Sequence, residues 1–227
     1  MSYIYYCRPN YIRNYFICYE HHKIKYTLQL FIYHMYSIHM IDDEFKIYVE
    51  NFYNKLIEDK YEYLKMFSKL QIQIEGWFRG ELMHYFNYDK KIDLKPENRE
   101  VKINAESRKK VDLKIPINGQ DFWIELKHIL VGIQGKGKND KSLNYPIKFY
   151  FSSKDYIAND IKKLREIENG NNLYSLSFIS TNNDMIKDEN ELKKKLDEQL
   201  EQKAELVSYN YNKNLEFGYF LLKVYKD

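Results

Sequence analysis

VDLKIPINGQDFWIELKHI, residues 111–129, holds two apolar ribbons around the pair Asn118-Gly119, and both ribbons carry charge. Strand side chains alternate between faces, so Phe122, Ile124 and Leu126 share one side while Trp123, Glu125 and Lys127 share the other. Asn-Gly between alternating apolar runs is the signal for a tight hairpin. A hairpin here sets the Asp112 strand beside the Glu125 strand, which brings Asp112, Glu125 and Lys127 within mutual reach.

Working outward, residues 42–227 read as one α/β domain, preceded by a Tyr-, His- and Ile-rich extension, residues 1–41, of no clear periodicity. Asp42 or Asp43 can cap a helix with Phe45, Val49, Phe52, Leu56 and Ile57 at helical spacing. Ser68 with Gln71 has the form of a capping box, predicting a second helix to about Tyr88 with Trp77, Glu81 and Tyr85 on one stripe. Strands are predicted at VKINAE, VDLKIPI, FWIELKHI, LYSLSFI and YFLLKVY. Amphipathic helices are predicted from Asp155 to about Glu168 and from about Asp188 to Leu206. The order helix, helix, three strands, helix, strand, helix, strand predicts a mixed β-sheet flanked by helices.

Composition narrows the function classes without choosing among them. At 227 residues and a net charge of +3, the chain has room for one large core and too little charge to announce a polyanion partner by itself. Two cysteines, Cys7 and Cys18, build neither a disulfide framework nor a zinc quartet. The apolar run Ile24 to Ile41 is broken by Lys25, Gln29, His34 and His39, so no membrane partner is expected and the expected location is the cytoplasm.

The chemistry concentrates in the hairpin. Two carboxylates and a strand carbonyl, here Asp112, Glu125 and the carbonyl of Leu126, are hard oxygen donors of the kind Mg2+ prefers. A metal so held can activate water and stabilise charge on a phosphate. Lys127, two residues beyond Glu125 on the same face, is placed to orient or deprotonate that water. Triplets of the form acid-x-Lys at Asp93 to Lys95 and Asp112 to Lys114 match in letters only. They lack the partner acidic strand.

Asp112, the triplet Glu125-Leu126-Lys127 and the order of helix, three-stranded meander, helix and strand resemble the PD-(D/E)XK nuclease superfamily over roughly residues 70–179. Val111 stands where the proline of the family's name would be. The resemblance implies a restriction-endonuclease-like fold and Mg2+-dependent hydrolysis of phosphodiesters, with Mn2+ able to substitute. It further implies a 5′-phosphate product; the expected substrate is nucleic acid, DNA foremost, cut by an endonuclease, and a homodimer would make paired cuts. It also implies a glutamate on the helix before the meander. Glu75 and Glu81 are the candidates, about 120° apart around a helix, with Glu81 preferred for catalysis and metal binding and Glu75 in reserve. The alternative is a nuclease-like scaffold without activity that binds nucleic acid or protein.

Lys136, Lys138 and Lys141 in GIQGKGKN and the residues after it, together with Arg108, are candidate phosphate contacts. That segment falls one residue short of a P-loop, and Pro146 follows where the phosphate-binding helix should begin, which excludes a nucleotide site of that type. His84 and His128 could lie near the site but have no zinc-like spacing. Asp160 and Lys163 read as surface charge of an amphipathic helix, or as support behind the metal ligands.

Overall fold

The structure, a computed structural model, describes residues 43–136, 142–152, 156–182, 185–200 and 204–226, with no side chains for 133–144. Contacts divide the chain into residues 1–45, nearly all outside the described set, and residues 46–227, which hold the sheet. Of the phosphate contacts expected from sequence, Lys138 and Lys141 lie outside the described residues, as does the side chain of Lys136. Among the described residues no helix is long and apolar enough to cross a membrane.

The second body is a mixed sheet with helices on both faces. Helix α1 spans 43–70 and α2 Glu75–His84, followed by a π-turn at Tyr85–Asp89. The meander is β1 (Arg99–Lys102), β2 (Lys110–Ile117) and β3 (Gln120–Lys136). Then come β4 (Ser142–Tyr145), α3 (Ile147–Ser152), α4 (Ile157–Arg165), β5 (Asn172–Thr181), α5 (Glu189–Asp197), β6 (Ala204–Asn212) and β7 (Phe217–Val224). The sheet order is β1-β2-β3-β5-β7-β6, with β4 folded back on the far end of β3.

The hairpin forms as its turn chemistry demands. Asn118 and Gly119 adopt φ of 50° and 77°, the pair of left-handed residues that a two-residue turn needs to match strand twist, and Ile117 pairs with Gln120. Beyond it β3 runs parallel to β5 from Phe122↔Asn172 to Val131↔Thr181. Every residue of β5 is buried, which is how a strand covered on both faces reads.

On one face, α1 and α2 pack an aromatic cluster on β5 and β7. Phe78 stacks on Phe178 at 4.0 Å, and Phe52 and Phe217 complete the contact. On the other face, α3, α4 and α5 bury Ile147, Ile157, Leu192 and Leu196 against Ile129, Ile179 and Phe220. Gly132 to Lys136 of the near-P-loop continue β3 as strand, and Gly137 to Asn139 lie outside the described residues.

Four expectations need correction. Ser68 does not cap the second helix: it closes α1, where its carbonyl accepts the Gln71 N–H and side-chain amide while its hydroxyl meets Ser180. The helix predicted to reach Leu206 stops at Asp197, its residues from Ala204 onward becoming β6. β1 covers Arg99–Lys102, and most of VKINAE is bend. The stripe of α2 that enters the core is Phe78 and Leu82, continued by Tyr85 and Phe86, not the Trp77 and Glu81 side.

With no side-chain cap at Ile74, the first turn of α2 depends on His128. Its Nδ1 accepts the Ile74 N–H at 3.1 Å and its Nε2 lies 2.9 Å from the Ser180 hydroxyl. Burial lowers the pKa of this ring to about 4, so it stays neutral in the core. His128 is therefore a packing and capping residue. His128→Ala should cost about 3 kcal/mol, the sum of an orphaned buried N–H and a cavity. Urea unfolding at neutral pH measures this; a loss under about 1 kcal/mol would contradict the capping role.

Candidate active site

The extended register of Leu113↔Ile124 sets Asp112 opposite Glu125, and at that point side chains intrude between the two strands. Asp112 Oδ2 accepts the Leu126 N–H at 2.9 Å, and Glu125 Oε1 accepts the Asp112 N–H at 3.3 Å. The N–H and C=O of one strand residue point toward the same neighbour, so the Leu126 carbonyl faces this opening too. Two carboxylates and a carbonyl thus gather where β2 and β3 part.

Helices close the site from both faces. From α2, Arg79 Nη1 donates to Asp112 Oδ1 at 3.1 Å, and Glu75, one turn earlier on the same helix face, lies 3.6 Å from Lys127 Nζ. From α4, Lys163 Nζ lies 2.6 Å from Glu125 Oε2, and Asp160 lies 3.5 Å from Lys127 Nζ. Ser175 and Ser177, in register with Glu125 and Lys127 on β5, keep that part of the sheet low enough for α4 to approach.

The electrostatics follow from burial. Glu125, its side chain 2% exposed, has its pKa pushed up to about 8 by desolvation and by Asp112, with Lys163 pulling the other way. Desolvation likewise lifts Asp160 to about 6 against the pull of Lys127 and Lys163. For Lys127, burial favours the neutral amine, but Asp160, Glu75, Glu125 and Asp112 together outweigh it and raise its pKa. Lys127 is consequently an ammonium at neutral pH, suited to orienting water or binding a phosphoryl oxygen, and not to removing a proton.

Asp112, Glu125 and Lys127 therefore meet as the hairpin reading requires. Glu81 does not join them. It points to α1, 3.8 Å from Lys60, and lines a small cleft with Phe52, Leu56 and His84. The reserve residue, Glu75, is the glutamate that reaches the site, because α2 starts after residue 74 and its phase puts Glu75 and Arg79 on the sheet opening. Arg108 is exposed, and its neighbours Lys109 and Lys110 pair with Glu166 and Glu100. Lys114 turns to Asp121 at 2.8 Å and lies over Trp123, outside the site. Arg79 escaped the sequence reading; its signal was the four-residue spacing from Glu75. Asp160 and Lys163 belong to the site rather than to the helix surface.

The donor set suits one hard divalent cation. Among the described residues no group of three or more His, Cys, Asp or Glu side chains forms a ready metal cage. Mg2+, however, is commonly held by one or two carboxylates with water and phosphate oxygens completing its shell. Two neighbouring carboxylates in a buried opening need cationic compensation, which Arg79 and Lys163 supply and which a divalent ion would supply in their place. Comparison with protein-family models, with curated proteins and with solved structures found no match.

The buried carboxyls give a pH signature. A carboxyl whose folded pKa exceeds its ordinary value favours the folded state below that ordinary value, and the contribution is lost as pH rises through the folded pKa. His128 works oppositely, but only below about pH 6.5. In metal-free solution, stability should fall from about pH 6.5 to 8.5 as Glu125 ionises, and Glu125→Gln should flatten that slope. Urea midpoints across this range test it; parallel curves for both proteins would contradict the raised pKa.

Proposed function

We propose that this chain is a metal-dependent phosphodiesterase acting on nucleic acid, DNA foremost, with a restriction-endonuclease-like fold. The observation that carries this reading is the meeting of Asp112, Glu125 and Lys127 at the parting of β2 and β3, with Glu75 reaching in from α2. The succession of helix, antiparallel meander, helix and parallel strand β5 supports it as well.

Asp112, Glu125 and the Leu126 carbonyl would hold Mg2+ or Mn2+, which when bound supplies Lewis-acid activation of water and of the phosphate. Lys127 keeps its proton between Glu75 and Asp160 and offers it as a hydrogen bond to the attacking water or to a non-bridging oxygen. Glu75, 39% exposed at the mouth, is placed to accept a proton from water in the open part of the site. Asp160, deeper, holds Lys127 in position.

A second reading has one observation in its favour: Arg79 and Lys163 already neutralise Asp112 and Glu125, as in a scaffold that binds without cutting. Activity separates the two. With Mg2+ or Mn2+, Asp112→Asn, Glu125→Gln and Lys127→Met should each lower cleavage of labelled DNA about 100-fold or more, Glu75→Gln about tenfold, and Glu81→Gln less than about twofold. Equal rates for Lys127→Met and the parent protein, both folded by circular dichroism, would sink the enzymatic reading.

A further inference from the structure

The two carboxylates are anchored by backbone groups, and their cations are carried on long side chains. Glu125 and Asp112 are held by strand N–H groups, whereas Lys163 and Arg79 reach in from helices on opposite faces, with side chains 19% and 25% exposed. Such long stems can carry their heads to solvent by rotamer changes alone. A buried like-charged pair requires compensation. Here it is tethered to the chain, at the atoms an external cation would seek.

We infer that Lys163 and Arg79 are displaceable internal counter-ions, through which metal and nucleic acid bind with positive coupling. The inference rests on reading Asp112 and Glu125 as metal ligands. Without metal, and with Glu125 ionised, the two carboxylates are balanced by two cationic side chains. A divalent cation neutralises the carboxylates and leaves the ammonium and the guanidinium uncompensated. A polyanion supplies what they then lack, one negative charge per phosphodiester.

Arg79 has a fallback in Glu100 at 3.8 Å, so most of the effect falls on Lys163. Once released, Lys163 extends its ammonium from the last turn of α4 toward solvent, where a phosphate can meet it. By linkage, nucleic acid that holds Lys163 outward also opens Glu125 to metal.

Two measurements on the full chain test this. The first is the anisotropy of a labelled phosphorothioate oligonucleotide with and without millimolar Mg2+. Screening by salt alone loosens such binding, so tightening of about tenfold by Mg2+ is the expected and distinctive result. Lys163→Met should lose most of it and Lys163→Arg should keep it. The second is calorimetric titration with Mg2+ at about pH 8.5 without oligonucleotide, where Lys163→Met should bind more tightly than the parent protein because no tethered cation must leave.

If Mg2+ binds the parent protein and Glu125→Gln abolishes that binding, yet oligonucleotide affinity only loosens with Mg2+, the counter-ion inference fails and the ligand assignment stands. If no Mg2+ binding is seen in either protein, with or without oligonucleotide, both fall. The anisotropy arm on the parent protein needs no variant, so poor folding of Lys163→Met would not protect the inference.

Discussion

The parallel pairing of β3 with β5 is the constraint from which the site follows. It runs from Phe122 to Val131 and fixes the central strand between two fully covered layers. Apolar side chains fill most of β3 there, and its two acid and amine side chains stand out: Glu125 and Lys127 are held in place by a ladder that has no freedom to turn them to solvent. Burying a carboxylate costs several kcal/mol unless charge or hydrogen bonds offset it. The offset comes from Lys163, from the Asp112 N–H and from the opening of the β2–β3 ladder.

The surrounding elements can be understood as what that constraint requires. α4 brings Lys163 to Glu125 and Asp160 to Lys127, and small serines on β5 give it room. α2 brings Arg79 and Glu75 from the other face, its start held by His128 on the same strand as Glu125 and Lys127. One strand therefore supplies two of the charges and positions the helix that supplies two more. The consequence for chemistry is a cationic Lys127 between two carboxylates, a hydrogen-bond donor by construction.

The hairpin was legible because its information is local: Asn118-Gly119 specifies the turn, and a period of two specifies the faces. Register then brought Asp112 to Glu125 without further help. What failed depended on distant contacts. Ser68 and Gln71 fit a helix start by letter but end α1, since the same residue types also serve a helix C-terminus when the chain turns left-handed, as Gln71 does at φ 52°. Leu200 and Leu206 continued an apolar pattern past Asp197, and only pairing with β7 turns Ala204–Asn212 into a strand. Choosing Glu75 over Glu81 needs the phase of α2, which His128 sets from 54 residues away. Arg79 and Lys163 acquire their roles only when helices on opposite faces meet the same pair of carboxylates.

The central claim is that Asp112, Glu125 and the Leu126 carbonyl form a divalent-metal site. Crystals grown or soaked with Mn2+ and measured near the manganese absorption edge test it directly. The expected result is one anomalous peak about 2.2 Å from an oxygen of each of these residues, with the Lys163 ammonium moved off Glu125. A difference map with no anomalous density there, and Lys163 still on Glu125 at saturating Mn2+, would contradict it.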